Sequence, residues 1–351
     1  MPGPGTREQW PGINGAGGPS SKLEDMSAAN SPSAPAPPLA PASVRVSAPG
    51  KINVSLQVGP PRPDGYHGVA SVYLAVSLFE EVHARATDTG GVTVTVESDG
   101  ALHVPVAGIP LGPDNLAARA AQALAAHTGH RAAVHLHIIK RVPVAGGMGG
   151  GSADAAAALV ACNALWNTGL SNEELAGIAA GLGADVPFSL LGGAAVGLGV
   201  GDQLAPALSE TPLHWVLAAS DSGLSTPAVY GALDALRAER QIQVPEPTAA
   251  DPLILAAVRS GNARDLAAVM SNDLQDAALA LAPELAGLLH AGERLGALAG
   301  MVSGSGPTIA FLATDADAAA ELETALRAEG HRALAVQGPV PGARLLPAVA
   351  G

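Results

Sequence analysis

For a chain of 351 residues, this one is short of aromatics, cysteine, lysine and long apolar runs. Aromatic residues make up 3% of it, so a core drawn from its 48% hydrophobic content has to be built from Ala, Val and Leu. A single cysteine, Cys162, excludes an internal disulfide framework and suits a reducing, cytoplasmic setting. Its expected place is the buried face of a helix. The alanine-rich runs are broken by Gly, Asn and Asp, and none reaches the length of a membrane-spanning helix. Positive charge is scarce as well. Eighteen Lys and Arg stand against 31 Asp and Glu, a formal charge of −13. That balance argues against non-specific binding to nucleic acid. It also means that any phosphate site must be locally positive against an acidic background. Lysine is the rarer cation: Lys22, Lys51 and Lys140 against fifteen arginines. Each lysine therefore invites a question about its task.

Glycine is abundant, and it is densest where the sequence reads P-V-A-G-G-M-G-G-G-S-A-D-A-A-A-A from Pro143 to Ala158. Just before this stretch Val134, Leu136 and Ile138 alternate with His135, His137 and Ile139, the period of a strand. Small helix-forming residues follow it. The unit reads strand, glycine loop, helix. Glycines let the backbone turn and approach a ligand closely. The free N–H groups at a helix start suit an anion, above all a phosphate. The alternative is a plain flexible turn. The loop has neither the G-K-[ST] ending of a P-loop nor the G-x-G-x-x-G pattern with a later ribose-binding acid.

Residues 1 to about 42, rich in Pro, Gly, Ala and Ser, are expected to form a disordered tail. They lack the basic start and apolar core of a secretory signal. From Ser43 the chain becomes periodic. Ile52, Val54, Leu56 and Val58 are expected on one face of a strand, with Lys51, Asn53, Ser55 and Gln57 on the other. A turn follows at Arg62-Pro63-Asp64-Gly65-Tyr66-His67. Short strands are expected around Val69 to Val82 and at Val92, Val94 and Val96. Asp114-Asn115 opens a helix that Gly129 closes, and Ser171 with Glu174 forms a capping box. A glycine-rich strand is expected over 192–201 and another strand over 213–219. Thr226 and Pro227 read as an N-cap and first helical position. Further helices start near Asp251-Pro252, Asn262 and Pro283. The turn Ser303-Gly304-Ser305-Gly306-Pro307 leads into a strand over 308–312, a helix over 316–329 and a strand over 333–336. No internal repeat is evident. The length allows two domains, and their boundary is placed near residue 208.

Four clusters carry potential chemistry: Lys51 with Asn53, Tyr66 with His67, the glycine loop, and Asp185. Each has a plainer reading alone. Lys51 could be a solvated strand residue, His67 a turn residue bonded to backbone, and Asp185 a cap before Val186-Pro187. Asp154 could merely complement the helix dipole. His135 and His137 share a strand face, but two histidines without a third ligand are weak grounds for zinc. Together, a phosphate-binding loop, a lysine on a polar strand face and a carboxylate in a Gly-rich turn are the parts of a phosphoryl-transfer site.

P-G-K-I-N at 49–53, the glycine loop, and S-G-S-G-P at 303–307 together resemble the three signatures of the GHMP small-molecule kinases. The resemblance runs from about Ser43 to Gln337. Within the family, R-P-D-G-Y-H at 62–67 and G-A-D-V-P-F at 183–188 resemble the branch acting on a cytidine diphosphate-linked methylerythritol. It implies an α+β, two-domain GHMP kinase fold. Residues 43–208 would form an ATP-binding domain like the second domain of ribosomal protein S5, and residues 209–345 a ferredoxin-like domain. It implies ATP- and magnesium-dependent phosphorylation of the 2-hydroxyl of that small molecule, a step in non-mevalonate isoprenoid synthesis, with no nucleic-acid or membrane partner. Lys51 and Asp185 would be the catalytic pair, Asp185 as base. ATP would lie on Pro143, Val144, Ala145, Gly146, Gly147, Met148, Gly149, Gly150, Gly151, Ser152 and Ala153. Tyr66 would stack on the cytosine ring, His67 would bond its edge, and Asn53, Thr226 and Tyr230 would complete the substrate site. The family usually has leucine and a second serine where this chain has Met148 and Ala153. Met148 nearly conserves volume. Ala153 removes a hydroxyl, leaving Ser152 as the expected magnesium contact. The alternatives are a kinase of the homoserine or mevalonate type, against which the D-G-Y-H turn argues, or a non-catalytic binding protein with the same fold, against which Lys51 and Asp185 argue.

Overall fold

The computed structural model describes residues 42–102, 104–209, 211–220 and 223–347. The expected tail and Lys22 lie outside them. The first half runs β1 (Ser43–Pro61), β2 (His67–Ala86), β3 (Gly91–Ser98), α1 (Leu116–Thr128), β4 (Ala133–Lys140), α2 (Gly150–Leu165), α3 (Asn172–Ala180) and α4 (Val186–Leu191). Next come β5 (Ala194–Leu198), β6 (Gln203–Ala207), β7 (Leu213–Ala219), α5 (Thr226–Glu239), α6 (Pro252–Ser260), α7 (Ala263–Ala267) and β8 (Ser271–Asn272). The chain continues with α8 (Gln275–Leu281), α9 (Glu284–Arg294), β9 (Ala299–Val302), β10 (Ile309–Ala313), α10 (Ala316–Ala328), β11 (Arg332–Gly338) and β12 (Arg344–Leu345).

The strands form two sheets. The larger runs β12-β1-β2-β4-β3, with β5 and β6 added beside β2 and the short β8 parallel to β1. Strand β3 pairs with β4 in parallel, so α1 is a crossover that returns the chain to the same sheet. Helices α1 and α2 pack together over this sheet. Their shared core joins Val46, Val82, Leu136 and Ile138 to Leu124, Leu159 and Cys162. The alanines of α2 let it lie close to the strands: Ala153, Ala155, Ala156, Ala157 and Ala158 are fully buried. The smaller sheet is antiparallel, in the order β11-β7-β10-β9. Taking its strands in sequence, that is 4-1-3-2, the order of a ferredoxin-like β-α-β-β-α-β unit. Its core is filled by Val216, Phe311, Leu285, Leu322 and Leu326.

Caps set the helix ends as the sequence predicts. Asn115 accepts from the N–H groups of Ala117 and Ala118, and Gly129 closes α1 in the left-handed conformation at φ 71°. Ser171 and Glu174 form a reciprocal capping box. Asp251 and Asn262 cap α6 and α7.

Four expectations change. The short strands expected over 69–82 are one 20-residue strand, because β2 is paired along its length to β1 and in parts to β4 and β5. The strand expected over 192–201 spans only Ala194–Leu198: Gly199 and Gly201 take φ of 72° and 96° and turn the chain into β6. Helix α5 has Ser225, not Thr226, at the N-cap position. The face expected for Ile52, Val54, Leu56 and Val58 is broken by a register shift between Asn53 and Ser55. A bulge of this kind reverses the alternation. Ile52 and Val54 pack with Leu74 and Val142, while Leu56 and Val58 pack with Val69 and Val216. Leu56 thus reaches the same cleft as Lys51 and Asn53.

Candidate active site

The three resemblance segments meet at one cleft of about 750 Å³. The glycine loop leaves β4 and enters α2 with Gly149 in the N-cap position, at φ 69°. The first helical bond there is Ala153 N–H to Gly149 carbonyl, so the N–H groups of Gly150, Gly151 and Ser152 lack intrahelical partners. Two contacts dock the loop onto its neighbours: Lys51 N–H donates to the Met148 carbonyl at 3.0 Å, and Ser303 Oγ donates to the Gly147 carbonyl at 3.3 Å. Gly147, at φ 75°, has no room for a side chain, since a Cβ would stand 1.9 Å from the Ser303 carbonyl oxygen. The S-G-S-G-P turn thus packs directly on the glycine loop. Met148 points away into the core beside Ile52 and Leu74, consistent with its being a tolerated apolar residue. Ala153 is also fully buried, while Ser152 lines the cleft. The other loop residues, Pro143 to Gly147 and Gly149 to Gly151, line it too.

Lys51 is buried, and its Nζ stands 2.7 Å from Asn53 Oδ1 and 3.9 Å from Asp185 Oδ2. The Tyr73 ring lies beneath it, 5.5 Å from ammonium to centroid. Burial pushes the Lys51 ammonium below its ordinary pKa, and Asp185 acts in the opposite sense. Asp185 occupies the N-cap position of α4, yet its side chain makes no capping bond. Its carboxylate remains available to the cleft that it lines. A hydrogen-bond chain fixes the lysine's neighbour. Ser71 Oγ donates to the Ser55 carbonyl at 2.8 Å, so it accepts from Asn53 Nδ2 at 2.7 Å. That sets the Asn53 amide with Oδ1 toward Lys51. The direction follows because a carbonyl only accepts.

Beneath the loop lies a cluster with no local sequence signal. Lys140 Nζ is 2.5 Å from Glu80 Oε1 and 2.7 Å from Asp154 Oδ2, and all three residues are buried. Burial raises the Glu80 carboxyl to about 8, with Asp154 adding to the rise and Lys140 opposing it. Burial raises Asp154 as well, against the pull of Lys140. Asp154 is therefore one member of a three-residue charged cluster rather than a residue that only complements the helix dipole.

The predicted base-recognition residues Tyr66 and His67 lie where β1 turns into β2. Tyr66 is 64% exposed on the β1–β2 turn. His67 is buried, its Nε2 is 3.0 Å from Asp234 Oδ1, and its ring is 5.0 Å from that of Tyr230. Tyr230, Thr226 and Asn53 line the cleft; Tyr66 and His67 are not among its lining residues, and His67 adjoins it through its contact with Tyr230. Thr226 Oγ1 is 2.8 Å from Ser305 Oγ, joining the start of α5 to the S-G-S-G-P turn. Sequence reasoning missed Asp234, Ser71 and the Glu80–Lys140–Asp154 cluster. It also missed an apolar lip of Ile109, Pro110 and Leu116 at the entry to α1. His135 and His137 are held by Thr93, Thr95 and Glu97, and no group of three or more potential metal-binding side chains occurs among the described residues.

A glycine-lined helix start, a buried lysine and a carboxylate that caps no helix converge in one cleft. The GHMP kinases N terminal domain matches residues 115–193, and the GHMP kinases C terminal domain matches residues 254–332. The chain belongs to the GHMP kinases, and its fold is their two-domain α+β fold. It is 61% identical over 312 residues to the 4-diphosphocytidyl-2-C-methyl-D-erythritol kinase of Pseudarthrobacter chlorophenolicus, covering 89% of this chain and 98% of that one. It resembles a crystal structure of 4-(cytidine 5'-diphospho)-2C-methyl-D-erythritol kinase at TM-score 0.66 and 31% identity, over 84% of this chain and 99% of the other. A homoserine kinase from Cytophaga hutchinsonii shares the fold at TM-score 0.66 and 18% identity, over 87% of this chain and 98% of the other. No helix among the described residues is long and apolar enough to cross a membrane.

Proposed function

We propose that the chain transfers the γ-phosphoryl group of ATP to the 2-hydroxyl of 4-diphosphocytidyl-2-C-methyl-D-erythritol, in the cytoplasm, as a step of non-mevalonate isoprenoid precursor synthesis. The observation that carries this reading is the pairing of Lys51 with Asp185 in a cleft also lined by Tyr230, whose ring packs on His67 next to the exposed Tyr66. Residues 43–208 serve as the ATP-binding domain and 209–345 as the C-terminal domain. The unpartnered N–H groups of α2 cradle the triphosphate, and the Ile109–Pro110–Leu116 lip takes the adenine. Asp185 orients the acceptor hydroxyl and receives its proton as that oxygen bonds to the γ-phosphorus and the bond to ADP breaks. Lys51 neutralises charge on the transferred group. Tyr66 stacks on the cytosine with Tyr230 as a second aromatic closing on it, His67 bonds its edge, and Asn53 and Thr226 hold the remainder.

The donor set fits magnesium as an ion carried by the nucleotide. Such ions need one or two protein oxygens besides phosphate, and Ser152 and the uncapped Asp185 carboxylate border the same cleft. When bound, the ion would neutralise phosphate charge.

The test compares ATP consumption with the cytidyl compound, homoserine and mevalonate. Turnover of the cytidyl compound alone is expected. Preference for either small acid would replace this reading with the other kinase types, and turnover of none would favour a binding protein.

A further inference from the structure

His67 opens β2 directly after the exposed turn, yet it is buried. Two residues of α5 hold it. Tyr230 packs against its ring at 5.0 Å and an interplanar angle of 41°. Asp234, four residues further along the same helix, falls on the same face. Its Oδ1 lies 3.0 Å from His67 Nε2. Asp234 has no other hydrogen-bond or ion-pair partner among the described residues. The nearest cation on α5 is committed elsewhere: Arg237 donates to the Val58 and Gly59 carbonyls and to Asp273 Oδ2. An ionised carboxylate only accepts, so the ring hydrogen belongs on Nε2. A neutral imidazole protonated there presents Nδ1 as a lone-pair acceptor. Among the described residues Nδ1 has no partner, and it is not one of the buried polar atoms sealed from solvent.

We infer that Asp234 is a positioning residue that determines base specificity: it fixes His67 in the tautomer whose Nδ1 accepts, so the site takes a pyrimidine offering an amine there. The inference rests on the cytidyl reading above. A cytosine donates from its exocyclic amine. A uracil presents a carbonyl at the same position, and two lone pairs would face each other. A site that leaves a polar group unpaired with the wrong ligand discriminates far better than one relying on shape. The tautomer therefore matters more than the mere presence of the histidine. The helix makes the link, because α5 carries the ring that packs on His67 and the carboxylate that orders its proton.

The test uses the full chain and two readouts. Long-range proton–nitrogen spectra of the imidazoles report the tautomer without any substrate. His67 in the wild type is expected to carry its hydrogen on Nε2, and Asp234→Ala is expected to mix the two tautomers. A wild-type ring protonated on Nδ1 would overturn the inference. The second readout is kcat/KM for the cytidyl compound and for its uridyl analogue. Asp234→Ala should lower the cytidyl-to-uridyl ratio by roughly tenfold to a hundredfold, mainly through KM. Asp234→Glu should restore part of it. A ratio equal to that of the wild type, even with both activities reduced, would show a merely structural role and overturn the inference. A wild type that turns over neither compound would sink the cytidyl reading and the specificity claim with it. In that case the spectra would still report whether Asp234 orders the ring.

Discussion

Lys51 and Lys140 end in the same cleft and both are nearly removed from solvent, yet their partners differ. Lys140 is clasped between two carboxylates, at 2.5 and 2.7 Å. Burial alone would lower its pKa, but Asp154 and Glu80 together hold it above the ordinary value. Lys51 has a neutral amide oxygen at 2.7 Å and its nearest carboxylate at 3.9 Å, and burial prevails. Lys140 is compensated before any ligand arrives, whereas Lys51 is left short of negative charge. An anionic ligand supplies what Lys51 lacks and would add nothing that Lys140 needs. The same residue type, within one cleft, is a fully paired cation in one place and a cation short of negative charge in the other.

The largest expected effect breaks the architectural side. Lys140→Met would leave the buried Asp154 and Glu80 side chains without their cation, a change that costs about 3–5 kcal/mol of stability. Chemical denaturation measures it, and Lys51→Met is the control that should keep its Tm while losing turnover. Equal stability of the two variants would erase the distinction. Next comes the partner of the other lysine. Asp185→Asn should lower kcat by about a hundredfold or more, by analogy with lost general bases. A near-normal kcat would remove Asp185 from the chemistry. A smaller change sharpens how Lys51 is held. Ser71→Ala removes the hydroxyl that sets the Asn53 amide, and kcat should fall by roughly tenfold with KM for ATP little changed, as for one lost hydrogen bond. Retention of full kcat would mean that Asn53 orients itself.

The smallest effect is in pH dependence. The Glu80 carboxyl is raised by burial to about 8, so the folded chain holds a proton there that the unfolded chain releases at ordinary carboxylate pH. Stability from that proton is complete below the unfolded value and declines as pH rises toward 8. Asp154 and Lys140 face the same group, as does the Arg141 N–H, which donates to Glu80 Oε2. Glu80→Gln carries no titrating group at that position. The difference in Tm, variant minus wild type, should therefore grow in the variant's favour as pH rises from about 5 to about 8. A difference that stays constant would show that Glu80 is not the proton's holder.

What could be read locally was read well. Asn115, Gly129, Ser171, Asp251 and Asn262 end or begin helices where expected, because each polar cap bonds backbone within three residues of itself and Gly129 needs only its own left-handed φ. The glycine loop was legible for a similar reason: its strand, turn and helix adjoin in sequence. Asp185 was ambiguous, since a cap and a free carboxylate look alike in sequence; the structure shows that its side chain makes no capping bond. The Glu80–Lys140 contact spans sixty positions of chain, and nothing near either residue announces the other. Asp234 was invisible for the same reason, being 167 positions from His67.

By itself the sequence determined that a glycine loop joins a strand to a helix start and that Lys51, Asp185, Tyr66 and His67 were worth watching. Periodicity and glycine act over short stretches of chain, so the residues are enough to reveal them. Tertiary structure alone decided which charges were cancelled and which were left available. Burial and the distance between side chains govern that choice, and both are set only when β1, β2, β4, α2 and α5 come together.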